Sequence, residues 1–429
     1  MSKVVVIGGG WAGSAAAIAA RKQGAEVVVI ERMEMLLGTG LVGGIMRNNG
    51  RFTATEEAIS MGGGDLFEIT DRVSRHKNIE FPGHKHANLY DISLIEPAVK
   101  KHLLDMGIEL RLTSRAINAE KDENGNITAV ILDKDKEKIT GDVFVEATGT
   151  AGPMANCVKY GTGCAMCIIR CHSYGNRVSI AGKLGIEEMF GRTGDGSIGA
   201  MSGSCKIFKE SLSPEIQEEL NTTGVAVVPI PEDLQKGEES LSSKACQQYA
   251  LAEYAANVIL LDTGHAKLMS PFFPLEALRR IPGFENARFE DPYSGDMGNS
   301  MRYMALSPRD NALKVEGLNN LFCGGEKAGL LVGHTEAIIT GTLAGHNAVR
   351  HAEGKELLEI SRETSIGEAI AYVKEEMKTE PGRSKKYTFS GSVLFDHLKG
   401  KGFYTTDKEE IKNRVEKAGL TDVFKKRIT

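Results

Sequence analysis

The sequence predicts an α/β protein of more than one domain, and three apolar runs ending in glycine carry that prediction. Val4-Val5-Val6-Ile7 meets Gly8-Gly9-Gly10-Trp11-Ala12-Gly13, the run Val143 to Ala147 meets Thr148-Gly149, and Leu321-Phe322-Cys323 meets Gly324-Gly325-Glu326. Short apolar runs bounded by glycine read as buried strands, and helix-like periodicity after the first and third suits strands of a parallel sheet. A chain of 429 residues exceeds what one hydrophobic core usually serves, so two or three domains are expected.

The first element is strand, glycine turn, alanine-rich helix and second strand, Val27 to Ile30, ending on Glu31. Gly8 permits a tight turn, Gly10 lets a pyrophosphate approach the backbone, and Gly13 allows close helix–strand packing. The helix N-terminus favours the negative charge of that pyrophosphate, and Glu31 is placed to accept from a ribose diol. This unit reads as a dinucleotide site. The connection Gly38-Thr39-Gly40-Leu41-Val42-Gly43-Gly44 reads as a loop passing close to the cofactor, or as a surface loop.

Further on, periodicity predicts a helix from Leu94 to Met106, capped by Asp91 or Ser93. Strands are expected over Glu109 to Leu112, Ile127 to Leu132 and Val143 to Ala147, with Glu123-Asn124-Gly125-Asn126 as a turn. From 157 to 299 the βαβ pattern stops, so this stretch reads as an inserted α+β substrate domain, with Pro214 to Leu220 and Lys244 to Leu261 helical. Met269 to Pro274 is irregular because its prolines break both patterns. Residues 300–351 return to the first domain, and a helix from about Thr335 to Val349 aims its positive end at the site. Residues 352–429 read as a helical C-terminal extension, with helices over Ile366 to Met377 and Lys408 to Ala418.

Composition narrows the classes. Hydrophobic content of 41% and charged content of 25% are ordinary for a soluble globular protein, and no apolar stretch is long enough to span a bilayer. A strand begins almost at the N-terminus, which points to a cytoplasmic address and makes the seven cysteines thiols or ligands rather than structural disulfides. The net charge of −5 gives no support to a nucleic-acid partner, and Lys425-Lys426-Arg427 reads as a solvated tail.

The three glycine-ended segments together resemble the FAD-dependent oxidoreductases of the glutathione-reductase type. Arg279 to Phe289, Leu306-Ser307-Pro308, Leu321 to Glu326 and Thr335 to Arg350 resemble blocks of the GidA/TrmFO family of flavin- and folate-dependent tRNA-uridine modification enzymes. The resemblance implies a Rossmann-like, three-layer ββα FAD domain formed by residues 1–156 and 300–351. It implies FAD as cofactor, with a binding set of Gly8, Gly10, Trp11, Ala12, Gly13, Glu31, Arg32, Gly40, Thr148, Gly149, Gly325, Glu326 and His334. Two departures stand out. The tRNA-methylating members carry a nucleophilic cysteine on the loop after the first βαβ unit, whereas Gly43 to Gly50 here contains none, and Glu326 stands where those relatives have Gln.

Cys164-Ala165-Met166-Cys167-Ile168-Ile169-Arg170-Cys171 sets three thiols at a spacing suited to one metal centre, with Cys157 or Cys205 as a fourth ligand. Three readings stand: an iron–sulfur or zinc site, a redox dithiol formed by Cys164 and Cys167, or inert buried thiols. His334, just before the helix over the cofactor, is the catalytic candidate for donating a proton or stabilising an oxyanion, and a capping role is the plain alternative. His84 and His86 read as a solvated loop, with paired ligands or substrate contacts as the alternative. Arg302 and Arg309 read as a bidentate clamp for an anionic substrate, or as surface residues.

The function expected is FAD-dependent oxidoreduction with a small-molecule substrate and an electron donor as partners. A folate- and FAD-dependent RNA uridine-modifying enzyme is the second reading, and a non-enzymatic flavin electron carrier the third. No membrane partner is expected, and homo-oligomerisation stays open.

Overall fold

The computed structural model describes residues 1–149, 175, 177–192, 200–201, 205–235, 247–249, 251–269, 273–290, 301–302 and 305–428. Its centre is a five-stranded parallel sheet containing β1 (Lys3–Ile7) and β2 (Glu26–Ile30). The order across it is Leu321–Cys323, Val143–Glu146, β1, β2, Glu109–Arg111. Val4, Val5 and Val6 are fully buried, which is why this strand reads as a continuous apolar run without alternation. The three glycine-ended runs are neighbours in this sheet, so parallel pairing brings their C-terminal ends side by side.

Helix α1 (Trp11–Lys22) packs along the His334–Ala352 helix at backbone distance. A Cβ on Gly341 would fall 2.1 Å from the Ala12 carbonyl oxygen, and one on Gly345 2.1 Å from that of Ala16. Small residues on both helices make that approach possible. An antiparallel sheet of Ala116–Lys121, Ile127–Leu132 and Lys138–Thr140 adds Ala116, Ala119, Ile127 and Val130 to the same core.

A second core belongs to the region read as an insertion. Its four-stranded antiparallel sheet runs in the order Cys205–Ile207, Ala266–Leu268, Asn257–Asp262, Val225–Pro229. The Pro214–Thr223 helix adds Ile216 and Leu220 to that core. Ser213 starts it by accepting from Ile216 N, and Pro214 at the first helical position gives up an amide that would have no partner. The Asn257–Asp262 strand splits its side chains by the two-residue period. Val258 and Leu260 enter this core, while Ile259 and Leu261 join Phe81, Leu89 and Tyr254 in a third cluster.

Several expectations need correction. Lys244 to Leu261 is not one helix: Gln247–Tyr249 and Glu253–Ala256 are single turns, and Asn257–Asp262 is a strand. A wholly apolar run such as Val258-Ile259-Leu260-Leu261 carries no periodicity that separates buried strand from buried helix. His84 does not sit on a solvated loop. It lies on the His84–Tyr90 strand, 2% exposed, against the Phe81 and Tyr249 rings. Residues 352–428 carry the helices Ser365–Glu376, Glu380–Arg383, Ser392–Gly400 and Lys408–Lys417 joined by irregular links, and they are also stitched into the first core: Ile366, Val373, Leu394, Val415, Leu420 and Phe424 belong to it. Among the described residues, no helix is long and apolar enough to cross a membrane.

Candidate functional site

At the glycine turn, Gly8 has φ +103°, and a Cβ there would fall 2.4 Å from the Ala147 carbonyl oxygen. Gly13 is tighter, because its Cβ would lie 1.7 Å from the Gly8 oxygen. Gly10 differs from both: nothing described lies within 4 Å of its Cβ position, so its backbone faces open space. Gly10 also caps α1 without any side-chain bond, and no acid occupies the first turn. The partial positive charge of the helix start is therefore left to a ligand.

Beside this turn, Glu31 is buried, with Oε2 accepting from Gly9 N at 2.7 Å and Oε1 from Met33 N at 2.8 Å. Burial raises its pKa, opposed by those two amides and by the Arg32 and Arg177 charges. Each oxygen keeps acceptor capacity for a diol hydroxyl. An open glycine, an uncapped helix start and a pinned carboxylate fit a dinucleotide diphosphate with a free ribose.

The expected residues converge. Gly8, Gly10, Trp11, Ala12, Glu31, Arg32, Gly40, Thr148, Gly149, Gly325, Glu326 and His334 line one cleft, while Gly13 lies behind it as packing. Trp11, Tyr90 and His334 form a ring cluster there, with Trp11 and His334 centroids 5.8 Å apart. The Tyr90 hydroxyl donates to Gly40 O at 3.0 Å and lies 3.3 Å from His334 Nδ1, and burial raises the phenol pKa. The 38–44 connection is packed onto these rings. A Cβ on Gly40 would strike Trp11 Nε1 at 2.1 Å, and one on Gly43 would strike His334 Cε1 at 1.6 Å.

The cleft also has walls that the sequence reading missed: Arg51, Gln248, Tyr249, Lys267 and Met269. Arg51 stands on the Gly50–Ser60 helix, and its partners are Glu336, Asn48 and Thr388. Two-residue alternation along 266–269 was the one legible signal. It sends Ala266 and Leu268 to the second core and Lys267 and Met269 to the cleft.

Other candidates separate from the site. Arg309 is no substrate clamp: it is 2% exposed and donates to the carbonyls of Ala328, Asp310 and Ile370, so its guanidinium ties loop and helix together. The side chain of Arg302 lies outside the described residues. Cys157, Cys164, Cys167 and Cys171 also lie outside them. Among the described residues no group of three or more His, Cys, Asp or Glu is placed to hold a metal ion. Cys205 and Cys323 are both buried, and burial pushes the Cys323 thiol up to about 12, which keeps it protonated and unreactive near neutrality.

Comparison with known proteins gives concordant matches. A family model described as FAD dependent oxidoreductase matches residues 3–158, and one described as Glucose inhibited division protein A matches residues 263–356. The methylenetetrahydrofolate–tRNA-(uracil-5-)-methyltransferase TrmFO of Enterococcus faecalis is 36% identical over 98 residues, which is 22% of this chain and 21% of that protein. The match thus spans about a fifth of that relative's length. A crystal structure of Aquifex aeolicus GidA superposes with a TM-score of 0.65 at 15% identity, covering 98% of this chain and 72% of that one. A second crystal form gives 0.62 at 14% identity, covering 99% and 78%. At such identities the likeness establishes the fold. The two family models between them span all three strand ends that line the cleft, so the chain is similar to FAD-dependent oxidoreductases over residues 3–158 and to the GidA family over residues 263–356.

Proposed function

We propose that the cleft holds FAD and that the protein passes electrons from a donor to a small-molecule substrate. The observation that carries this reading is the convergence of three distant strand ends around an uncapped helix start and the pinned Glu31 carboxylate. In this assignment the α1 N-terminus takes the pyrophosphate, Glu31 takes the ribose diol, and Thr148, Gly149, Gly325 and Glu326 complete the cradle. When bound, FAD supplies the two-electron chemistry. His334 then holds or moves a proton at the cleft, its imidazole oriented by the Tyr90 hydroxyl beside Nδ1. Residues 1–156 and 300–351 serve as the cofactor domain, 157–299 as the substrate domain and 352–429 as its helical extension. Cys164 and Cys167 serve as a redox pair or, with Cys157 and Cys171, as a metal site.

Anaerobic purification with an absorption spectrum and iron, zinc and sulfide analysis tests both halves. A yellow protein with a flavin spectrum is expected. Colourless protein that takes up no FAD on reconstitution would end the cofactor assignment, and absence of iron and zinc would leave only the dithiol or inert readings of the cysteines.

A second reading, folate-dependent modification of RNA uridine, draws support from the TrmFO similarity. The cleft lining also favours it, with Arg32, Arg51, Arg115, Arg177 and Lys267 against the acids Glu31 and Glu326. The missing cysteine between Gly43 and Gly50 counts against it. Carbon transfer from methylenetetrahydrofolate to unmodified tRNA, followed by mass spectrometry of its nucleosides, decides between the two.

A further inference from the structure

Arg51 is held more firmly than packing alone requires. It is 5% exposed and yet lines the cleft, with Nε donating to Glu336 Oε1 at 3.2 Å, Nη1 to Asn48 Oδ1 at 3.2 Å and Nη2 to Thr388 Oγ1 at 3.0 Å. Its holders are themselves fixed. Glu336 Oε1 also accepts from Phe389 N at 2.9 Å and from the Thr388 hydroxyl, and Asn48 Nδ2 meets His84 Nδ1 at 2.9 Å. A guanidinium carries five N–H donors, so these bonds leave one on each terminal nitrogen. Fixing the fork beforehand removes the entropy cost that a free arginine would meet on binding.

A second cation enters the same cleft from the other core. Lys267 reaches it from the Ala266–Leu268 strand and is only 6% exposed. Among the described residues, the acids lining the cleft are Glu31 and Glu326, on the segments assigned above to the dinucleotide. The diphosphate already has its own place at the α1 N-terminus, so Arg51 and Lys267 are not needed there.

We propose that Arg51 and Lys267 form the substrate subsite of the cleft and that it takes a substrate bearing a carboxylate. The planar fork matches a planar oxyanion in charge and geometry, and the lysine adds a point charge from the facing unit. This takes over the clamp role that the sequence suggested for Arg302 and Arg309, and it rests on the flavoprotein reading above.

Calorimetric titration of FAD-loaded and FAD-free protein with acetate, malonate and benzoate, each against its amide, tests the assignment at constant ionic strength. Carboxylates are expected to bind the loaded protein about tenfold tighter than the amides. Lys267→Met and Arg51→Lys should each cut that preference about threefold while leaving FAD affinity unchanged. Lys267→Met leaves the Arg51 network intact, so a folding defect in Arg51→Lys does not remove the test. Equal affinity for acids and amides in the wild type overturns the proposal, as does an undiminished preference in Lys267→Met. Variants that lose FAD affinity and keep the preference also overturn it, since both cations would then serve the cofactor. Protein that discriminates acids from amides but takes up no FAD would keep the subsite and sink the flavoprotein reading.

Discussion

His346 lies within the His334–Ala352 helix, 1% exposed, its ring edge-on to Phe424, with neither nitrogen bonded to a described group. Burial, helped by the Arg350 charge, lowers its pKa from 6.5 to about 4. The folded state therefore refuses a proton that the unfolded chain accepts. Stability from this group is fully present above pH 6.5 and falls as pH drops toward 4, by ~3 kcal/mol across that window, then levels off. His346→Leu removes the titration. Urea unfolding at pH 7 and pH 4.5 should show the wild type losing more stability than the variant, and parallel losses would disprove the assignment. His84 shifts the same way, to about 3, through burial and the Arg51 charge. Neither burial was legible in the sequence, because a histidine's environment is set by what packs on it. Phe424 is 78 positions from His346, and Tyr249 is still further from His84.

The contact between α1 and the His334–Ala352 helix links stability to the cleft, because Ala12 both lines the cleft and meets Gly341. Gly341→Ala gains ~1 kcal/mol of helix propensity. It also drives a methyl to 2.1 Å from the Ala12 carbonyl oxygen, with backbone on the other side that cannot yield. The overpacking should win, for a net loss of ~2 kcal/mol, and should weaken FAD binding by moving the helix start. Thermal unfolding without cofactor and FAD titration check the two effects separately. A variant as stable as the wild type would show that the helices separate without cost. Elements of this kind were legible where the pattern was clean: the strands ending in glycine and the helices begun by Ser213 or Asp407 appear where the sequence puts them. The Ala116–Lys121 strand was missed, because register shifts in its ladder break the two-residue alternation into a three-residue one.

At the scale of the molecule, the motifs assigned to a dinucleotide sit at strand ends and announce themselves, whereas the devices that close the structure join residues hundreds of positions apart. Glu57 shows this. It is fully buried and accepts from Ser365 N at 2.9 Å, Ile366 N at 3.0 Å and Ser365 Oγ at 2.7 Å, with Arg414 Nη1 at 3.2 Å. One carboxylate thus caps the Ser365–Glu376 helix and anchors the Lys408–Lys417 helix. Gln23 of the first segment continues the seam, donating to Phe424 O at 2.9 Å and accepting from Ile428 N at 3.0 Å. Removing residues 405–429 therefore cuts into the main core. It strips out Ile411, Val415, Leu420 and Phe424 and leaves Glu57 without its cation. Burial of four such side chains contributes roughly 6–12 kcal/mol, comparable with the whole stability of a typical domain. The truncated chain is expected to aggregate or to purify without FAD. Glu57→Gln in the full chain, which loses the charge but keeps the volume, should cost ~3 kcal/mol in urea unfolding. A soluble truncation with unchanged melting temperature and FAD content would instead make the C-terminal helices a dispensable cover.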